Sequence, residues 1–548
     1  MKIFFKTLAV AMIGIVAASS CSSVEKMAKL AENVKVTCEP EVLEVVAGEI
    51  EADVTVTYPA DYFHPKAILE VTPVLVYEGG EVAMTPFKYQ GEKVKNNYKV
   101  VAKDGQTVRE KVHFDYVEGV EKATLELRGV VKYKAKSWNL PSRQVAIGCN
   151  TTYMLIDQSG YISLKADEYQ EIIKQTAEGQ ILYNINSDVV ASSQLRSKSV
   201  KDFVAALDEI KANERKTLVG TEVVAYASPD GGVKLNSKLS DKRGASADKA
   251  WNKVTKGKDV ADPTVKSIGQ DWEGFKELVE NSNIEDKDLI LRVLSMYSDP
   301  AVRENEIKNM SEIYTSLKSS VLPELRRARF IANVEYKNYT PEELVALVEE
   351  NIDILDEEAL LRAATLVKDN EKAAKLYNKA VEKFGSDRAQ FNLGVLALKE
   401  NKLSSAEKAF AKVKTTDGDL QNALGVIALR KGDLDKAAAA FKKAGTVDAK
   451  HNLGVVAVLN GDYAKAAQDL ADAEGCCFNT TLAYILNDQL DKAKASAKCK
   501  SPRVAYLKAI IAARQGDEAA YKEAISAASR SKVLAERAAK DVEFVYFQ

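Results

Sequence analysis

A pattern that repeats near the C-terminus constrains the fold of this 548-residue chain more than any other feature. Three glycines, Gly394, Gly425 and Gly454, are spaced by 31 and then 29 residues. Each is followed by an alanine 12 residues later and by a large apolar residue 16 residues later: Ala406, Ala437 and Ala466, then Phe410, Phe441 and Leu470. The small residues let two helices approach closely, and the large residue fills the space beside them. One such hairpin cannot bury its own apolar face, so the repeats must stack.

These spacings resemble the tetratricopeptide repeat family, in which Leu-Gly in one helix is followed by Ala, a bulky residue and Ala in the next. The last alanine of the pattern is present in two repeats, as Ala444 and Ala473. Weaker copies of the repeat lie on both sides, with Ala373, Tyr377 and Ala380 before and Ala483 and Ala509 after. The period is shorter than the roughly 34 residues of the family, and the closing proline is missing. The resemblance implies an all-α solenoid over 339–548 with a groove for proteins or peptides. The alternative is an unrelated alanine-rich bundle.

Residues 1–20 are typical of an export signal. A charged start precedes an apolar run from Leu8 to Ala18, which is shorter than the about 20 residues needed to span a bilayer. The stretch "ASSC" that ends at Cys21 resembles the lipobox of bacterial lipoproteins. The resemblance implies that Cys21 is lipidated and begins the mature chain, with a tether over 21–33. The alternative is a secreted protein cut near Ala18, with Cys21 a spare thiol.

Apolar residues alternate with period two between 34 and 150, as in "ADVTVTY" and "ATLELRGVVKYKA". Such alternation indicates strands with one buried face. Six to eight short strands in a stretch of this length predict an immunoglobulin-like β-sandwich, roughly 100 residues in its usual form. A connector over 151–178 follows it.

The cysteines are compatible with an exported chain, and without Cys21 their number is odd. Cys38 and Cys149 bracket the strand-rich region, and a disulfide between them would join its ends. Near the C-terminus, Cys476 or Cys477 is a candidate partner for Cys499. Both pairings depend on geometry that spacing alone does not supply.

Strand and helix patterns alternate between 179 and 338, which predicts an α+β domain. Three stretches, "ILYNINSDVV", "LVGTEVVAYASPDGG" and "LRRARFIANVE", resemble strands of the OmpA C-terminal family in the family's order. That family supplies the peptidoglycan-associating domain of many outer-membrane proteins. A helical insertion over 276–322 departs from its compact pattern.

The resemblance extends to the ligand-binding loop. In that family an Asp after the second strand and an Arg on the next helix bind the ammonium and the carboxylate of diaminopimelate. Arg243 stands at the Arg position, Ser228 stands at the Asp position, and Asp230 lies two residues further on. The resemblance therefore implies a peptidoglycan site at Asp230, Asn236 and Arg243. The alternative is that Asp230 is a turn residue and Arg243 a surface or fold-stabilising residue.

No stretch of the sequence carries the pattern of a catalytic triad, a paired-histidine metal site or a nucleotide loop, so neither an enzyme nor a cofactor is predicted. His64, His113 and His451 have no second histidine or acid at ligand spacing, so no metal site is predicted. Asp271 and Glu273 are a carboxylate pair of the kind that glycosidases use, but a solvated turn is the simpler interpretation.

The sequence is therefore interpreted as a multidomain chain with a β-sandwich, an OmpA-like α+β domain and a repeat solenoid. Its net charge of −2 argues against a nucleic-acid partner, and Arg326-Arg327 is interpreted as part of a solvated face. The function predicted is a non-enzymatic lipoprotein scaffold of the outer membrane, facing the periplasm. Its predicted partners are envelope proteins or peptides, the membrane through the lipid, and peptidoglycan. The alternatives are a dedicated peptidoglycan anchor and a cell-wall-active enzyme.

Overall fold

The computed structural model describes residues 24–285, 287–473 and 477–547. The chain forms two compact units. One combines the described residues up to Lys165 with those from Val381 onward, and the other is Ala166–Ala380. Cys21, the signal segment and the start of the tether lie outside the described residues, so their predictions stay open. Among the residues described, no helix has the length and apolarity to cross a bilayer.

The N-terminal part of the first unit is rich in strands, as predicted. A short helix α1 (Glu25–Lys29) precedes eleven strands: β1 (Lys35–Glu39), β2 (Val42–Val46), β3 (Glu49–Tyr58), β4 (Ile68–Tyr77), β5 (Gly80–Ala83), β6 (Phe87–Gly91), β7 (Lys99–Val101), β8 (Gln106–Asp115), β9 (Thr124–Tyr133), β10 (Lys136–Asn139) and β11 (Arg143–Asn150). Strand β3 alternates buried and exposed residues, which is the period-two signal of the sequence.

The strands are connected differently from the predicted sandwich of separate sheets. Strand β2 pairs with β3 on one side and with β11 on the other, so all eleven strands belong to one hydrogen-bonded sheet. The path runs β1-β3-β2-β11-β9-β4-β6-β7, with β8, β5 and β10 pairing off it. Spacing along the chain does not reveal such a shared strand. Cys38 and Cys149 are buried free thiols, and burial raises the pKa of each.

The second unit is built on a four-stranded sheet. Its elements are β12 (Ile172–Leu182), α2 (Lys198–Ala212), β13 (Lys216–Ala227), α3 (Val233–Val254), β14 (Thr264–Gln270), α4 (Trp272–Glu280), α5 (Lys287–Met296), α6 (Pro300–Asn309), α7 (Ser311–Ser320), β15 (Arg327–Lys337), α8 (Pro341–Glu350) and α9 (Glu357–Leu366). The strand order is β12-β15-β13-β14, and only β13 and β14 are parallel. The helices of the predicted insertion, α4 to α7, share an apolar core of their own.

The first strand of this sheet begins earlier than predicted. The sequence places it over 179–190, but β12 ends at Leu182 and starts at Ile172, inside the predicted connector. Its bounds are set by β15, with which it pairs along all of its length. Helix α2 packs an apolar stripe into the core, since Val200, Phe203, Leu207 and Ile210 are buried.

The rest of the chain is helical, as the repeat predicts. The helices are α10 (Asn370–Phe384), α11 (Asp387–Lys399), α12 (Leu403–Phe410), α13 (Gly418–Arg430), α14 (Leu434–Ala444), α15 (Val447–Leu459), α16 (Tyr463–Asp469), α17 (Cys477–Leu486), α18 (Leu490–Ser496), α19 (Pro502–Gln515), α20 (Glu518–Ala528) and α21 (Lys532–Ala538). They pack as successive hairpins, α11 with α12, α13 with α14, and so on to α19 with α20. In three hairpins the glycine faces the large residue of the partner helix: Gly394 with Phe410, Gly425 with Phe441, and Gly454 with Leu470.

The sheet and the repeats of the first unit share one apolar core. At the C-terminal end of the repeats, the buried Glu543 carboxylate accepts hydrogen bonds from Asn150 (2.8 Å), Thr152 (2.9 Å) and Arg514 (2.5 and 3.0 Å). The side chain of Glu543 is 1% exposed and that of Arg514 is 9% exposed. These bonds tie the end of β11 to the last helices of the repeats.

The sulfur atoms of Cys477 and Cys499 lie 2.6 Å apart, and Cys476 lies outside the described residues. We expect these two thiols to form a disulfide in an oxidising buffer, and we expect the bond to stabilise the unit by about 2–4 kcal/mol. Peptide mapping without reductant should find the two cysteines in one linked fragment. Cys499→Ser is the control and should lose the extra stability. Full alkylation of both cysteines after oxidation would contradict the prediction.

Candidate functional site

Four asparagines line one face of the helical repeats, one on each of four successive first helices of the hairpins. They are Asn392 on α11, Asn422 on α13, Asn452 on α15 and Asn479 on α17, and each is at most 2% exposed. A buried side-chain amide needs partners for both its oxygen and its NH2 group. We call these four residues the asparagine ladder.

The partners of the ladder belong to an irregular stretch just before Ala166, residues 156–165, which we call the threading segment. It contains neither helix nor strand and passes the repeats in reverse order. Its Asp157 lies at α17, Tyr161 at α15 and α13, and Lys165 at α11. The face is thus filled by a segment of the same chain.

Three ladder residues each form hydrogen bonds with both the backbone N–H and the backbone carbonyl of one residue in the segment. Asn479 accepts from the N–H of Asp157 (2.9 Å) and donates to its carbonyl (3.0 Å). Asn452 does the same with Tyr161 (2.7 and 2.8 Å), and Asn392 with Lys165 (2.8 and 3.0 Å).

The fourth ladder residue supports the centre of this arrangement. Asn422 donates to the carbonyl of Tyr161 (2.9 Å), and its oxygen accepts from Asn452 (2.8 Å). Buried backbone groups in an irregular stretch need such partners. All four residues therefore bind main-chain atoms, which any extended chain possesses.

Charged side chains hold the two ends of the segment. The carboxylate of Asp157 accepts from Arg503 (2.6 Å), and the amine of Lys165 donates to Asp417 (2.6 Å) and Asp419 (2.9 Å). Burial works to raise the pKa of Asp157, but hydrogen bonds from Ser159 and Arg503 bring it below its usual range. Burial works to lower the pKa of Lys165, but the two aspartates raise it. Both ends therefore favour the charged forms.

The middle of the segment fits closely. Gly160 has a φ of +80°, and a Cβ added there would lie 2.8 Å from the side chain of Val426, so only glycine is accommodated without strain. The ring of Tyr161 packs edge-on against His451 at 5.2 Å. Arg430 donates to the carbonyl of Ser159 (2.8 Å). The fit at the centre thus depends on side chains as well as on the backbone.

The predicted peptidoglycan residue Arg243 is buried in the fold of the second unit. It is 1% exposed, stacks on the ring of Tyr183 at 4.9 Å, and donates to three backbone carbonyls. These are the carbonyls of Ser187 (3.0 Å), Tyr226 (2.9 Å) and Asn184 (3.3 Å). Burial lowers the pKa of Arg243 to about 10. Its guanidinium therefore holds the 184–187 loop against β13.

Asp230 and Asn236 are also engaged within the unit. Asp230 pairs with Arg326 (3.2 Å) and accepts from Ser228. Asn236 donates to the carbonyls of Ser228 (2.9 Å) and Gly231 (2.6 Å), which closes the turn. The structure therefore brings the three predicted residues into one region, with their contacts directed inward. Peptidoglycan binding by them stays a prediction.

Two further interpretations need correction. Arg326 and Arg327 are not a solvated pair, because their side chains are 13% and 10% exposed and bind Asp230 and Asp271 respectively. Asp271 also accepts from the N–H of Gly274 at the start of α4, whereas Glu273 is exposed. Asp271 therefore anchors the insertion to the sheet, and the two carboxylates do not act as a matched pair.

One group of side chains bears on the prediction that the chain has no metal site. Pairing of β3 with β8 places His113 opposite Glu51, and the ligand atoms of Glu49, Glu51 and His113 lie within 4.8 Å of one another. Spacing along the chain could not show this, since the residues come from two strands. All three are exposed, and Glu51 already accepts from Lys111 (3.0 Å). We interpret the group as the solvated edge of a strand pair.

The asparagine ladder was missed at the level of sequence, although a signal was present. An asparagine stands two or three residues before the repeat glycine in "FNLG", "NALG" and "HNLG". A buried polar residue recurring beside a packing glycine would have indicated a binding face. Its partner could not have been found, because Asp157 and Asn479 are 322 residues apart in sequence.

Comparison with known proteins supports the repeats. The family model for the tetratricopeptide repeat matches residues 368–419. Similar solved structures include a tetratricopeptide repeat protein from Parabacteroides merdae, with 13% identity over 37% of this chain and 90% of that chain and a TM-score of 0.28. Pseudomonas aeruginosa pilF is also similar, with 16% identity over 38% of this chain and 99% of that chain and a TM-score of 0.28. Yeast Tom70 is a third, with 15% identity over 64% of this chain and 79% of that chain and a TM-score of 0.24. No curated protein matches the chain. The family model thus supports tetratricopeptide repeats at the C-terminus, with its match over residues 368–419.

Proposed function

We propose that this protein is a non-enzymatic scaffold that recruits a protein or peptide partner through its tetratricopeptide repeats. One observation carries the proposal: the asparagine ladder holds a chain segment by its backbone N–H and carbonyl groups. Recognition of main-chain atoms, with pockets or charges for a few side chains, is how proteins bind extended peptides. The repeats therefore have the chemistry of a peptide-binding surface.

Cross-linking in native cell envelopes tests this proposal. The full chain is treated with a lysine-directed reagent, and the linked positions are mapped by mass spectrometry. We expect cross-links to a partner to concentrate on repeat lysines such as Lys431 and Lys436, with strand lysines such as Lys88 and Lys111 as the internal control. Partner cross-links confined to residues 24–150 or 166–338 would contradict the proposal.

We further propose that the scaffold is a lipoprotein of the outer membrane, facing the periplasm. The lipobox-like stretch before Cys21 supports this placement. Three-lipid or two-lipid anchors hold a protein firmly, whereas one chain binds reversibly. Loss of the chain from the membrane fraction on Cys21→Ser, with export retained, is the expected result. Equal membrane recovery of this variant would count against the anchor.

Peptidoglycan association through 179–338 remains part of the proposal, with a dedicated wall anchor as its stricter form. Arg243→Ala is a poor test, since this guanidinium holds the 184–187 loop through backbone carbonyls. Asp230→Asn is better, because Asp230 lies on the turn with its side chain 15% exposed, and the substitution removes the charge while it keeps the shape. Sedimentation of the full chain with purified peptidoglycan, weakened by Asp230→Asn, would support association. A wild-type chain that stays in the supernatant would rule it out.

A further inference from the structure

Every residue of the ladder is already hydrogen-bonded to the threading segment, which occupies this face. Asn479, Asn452 and Asn392 each use the amide oxygen and the NH2 group on the threading segment. Asn422 is used by Tyr161 and Asn452. A second peptide cannot add to this face and can bind there only by exchange with the segment.

The sheet is held to the repeats independently of the segment. Glu543 with Arg514 binds Asn150 and Thr152, which precede the segment in the chain. A valine near the end of the chain, Val542, also packs against Gly148. Release of residues 156–165 would leave these contacts in place. The segment is therefore replaceable without separating the sheet from the repeats.

The end contacts of the segment are weak enough to exchange. Arg503 is 48% exposed and its partner Asp157 is 26% exposed. At the other end, Lys165 is 18% exposed, and its partners Asp417 and Asp419 are 32% and 51% exposed. Ion pairs open to solvent contribute little and are screened by salt. The backbone bonds to the ladder are ones that an incoming peptide can reproduce.

From these contacts we propose that the threading segment is an internal ligand, which an extended partner peptide of the same chemistry replaces. The inference rests on the proposed function of the repeats. The face selects an acidic residue opposite Arg503, an aromatic residue opposite His451, and a basic residue opposite Asp417 and Asp419. In the segment these are Asp157, Tyr161 and Lys165, spaced by four residues. The partner peptide carries the same three side chains at the same spacing, with glycine before the aromatic residue.

The tether makes the internal ligand a strong competitor. A segment joined to its own binding face acts at an effective concentration in the mM range. A partner then binds with an affinity reduced by the fraction of chains whose face is free. Weakening the segment without touching the face should therefore increase the affinity for an added peptide.

Gly160→Val weakens the segment alone. A valine cannot readily adopt a φ of +80°, and its Cβ would contact Val426. Gly432→Val is the matched control, because Gly432 has the same φ of +80° in the repeats and nothing within 4 Å of an added Cβ. The probe is a fluorescent synthetic peptide with the sequence of residues 156–166, "IDQSGYISLKA". Binding to each full-length chain is followed by fluorescence anisotropy.

We expect Gly160→Val to bind the probe at least about 10-fold more tightly than the wild type or Gly432→Val. Equal affinity of all three chains for the probe would overturn the proposal that the segment is an internal ligand. The segment would then be a permanent structural part of the repeats. Hydrogen exchange of the wild-type segment gives a second readout that needs no variant. The amides of Asp157, Tyr161 and Lys165 should exchange by local opening, faster than those in the centre of α13. Exchange of these amides only through global unfolding would also overturn the proposal.

The two proposals fail in different ways. Partner cross-links that avoid the repeats, together with tight probe binding by Gly160→Val, would remove the recruiting function alone. Partner cross-links on the repeats, together with an unchanged probe affinity, would remove the internal ligand alone.

Discussion

Replacing Glu543 by alanine is expected to lower the free energy of unfolding by about 3–5 kcal/mol. The variant would leave the buried guanidinium of Arg514 without its carboxylate, and Asn150 and Thr152 would lose their acceptor. An unpaired buried charge costs far more than a surface pair contributes. Urea unfolding followed by circular dichroism measures the loss. The control Glu523→Ala, an exposed glutamate on α20, should change stability by no more than about 0.5 kcal/mol.

The effect of Glu543 should also depend on pH. Burial works to raise its pKa, but the charge and hydrogen bonds of Arg514 outweigh burial and hold the pKa below its usual range. A carboxyl with a depressed folded-state pKa adds stability above its unfolded-state pKa of about 4.3, and this stability is lost as pH falls through the folded-state value. The difference in the free energy of unfolding between wild type and Glu543→Ala should therefore have its largest value at pH 7 and become smaller below about pH 4. A difference that stays constant down to acid unfolding would contradict the role of the charge.

The second large effect is expected from Gly425→Val, with a loss of about 3 kcal/mol. A Cβ at this position would lie 2.5 Å from a ring atom of Phe441, and this ring is 1% exposed. Alanine is helix-favoured over glycine by about 1 kcal/mol, so Gly425→Ala should cost less than valine. Thermal and urea unfolding measure both variants. The exposed Leu424→Ala, on the same helix, is the control.

A double variant makes this prediction sharper. If the ring of Phe441 is the obstacle, Gly425→Val should cost clearly less in a Phe441→Ala background, where the ring is absent. A leucine would not serve, since a Cβ at Gly454 in the third repeat would lie 2.6 Å from the side chain of Leu470. Additive losses in the double variant would show that the helix itself, and not the ring, sets the cost.

The repeats could be predicted from sequence because their contacts are local and periodic. Gly425 and Phe441 are 16 residues apart, so spacing alone placed them face to face. The strand-rich region was predicted for the same reason, since alternation in β3 reports which residues are buried. The shared strand β2 was not predicted, because pairing partners distant in sequence leave no periodic signal.

The candidate sites were harder to predict because the direction in which each side chain points decides whether it can reach a ligand. The spacing of Arg243 from Asn236 was consistent with a ligand grip, yet its guanidinium points at backbone carbonyls. Arg326 and Arg327 looked solvated from composition, but each has a nearby acid supplied by a distant part of the chain. The asparagine ladder depends on a segment more than 200 residues away, which no local pattern encodes.

The order of the elements along the chain has a consequence for biosynthesis. Asp157 leaves the ribosome 322 residues before Asn479. At translation rates of about 5–20 residues per second, it waits roughly 15–65 s for its partner. During that interval the segment and the apolar face of the sheet that later packs on the repeats are uncovered. Premature termination upstream of the last repeats would leave both of them uncovered.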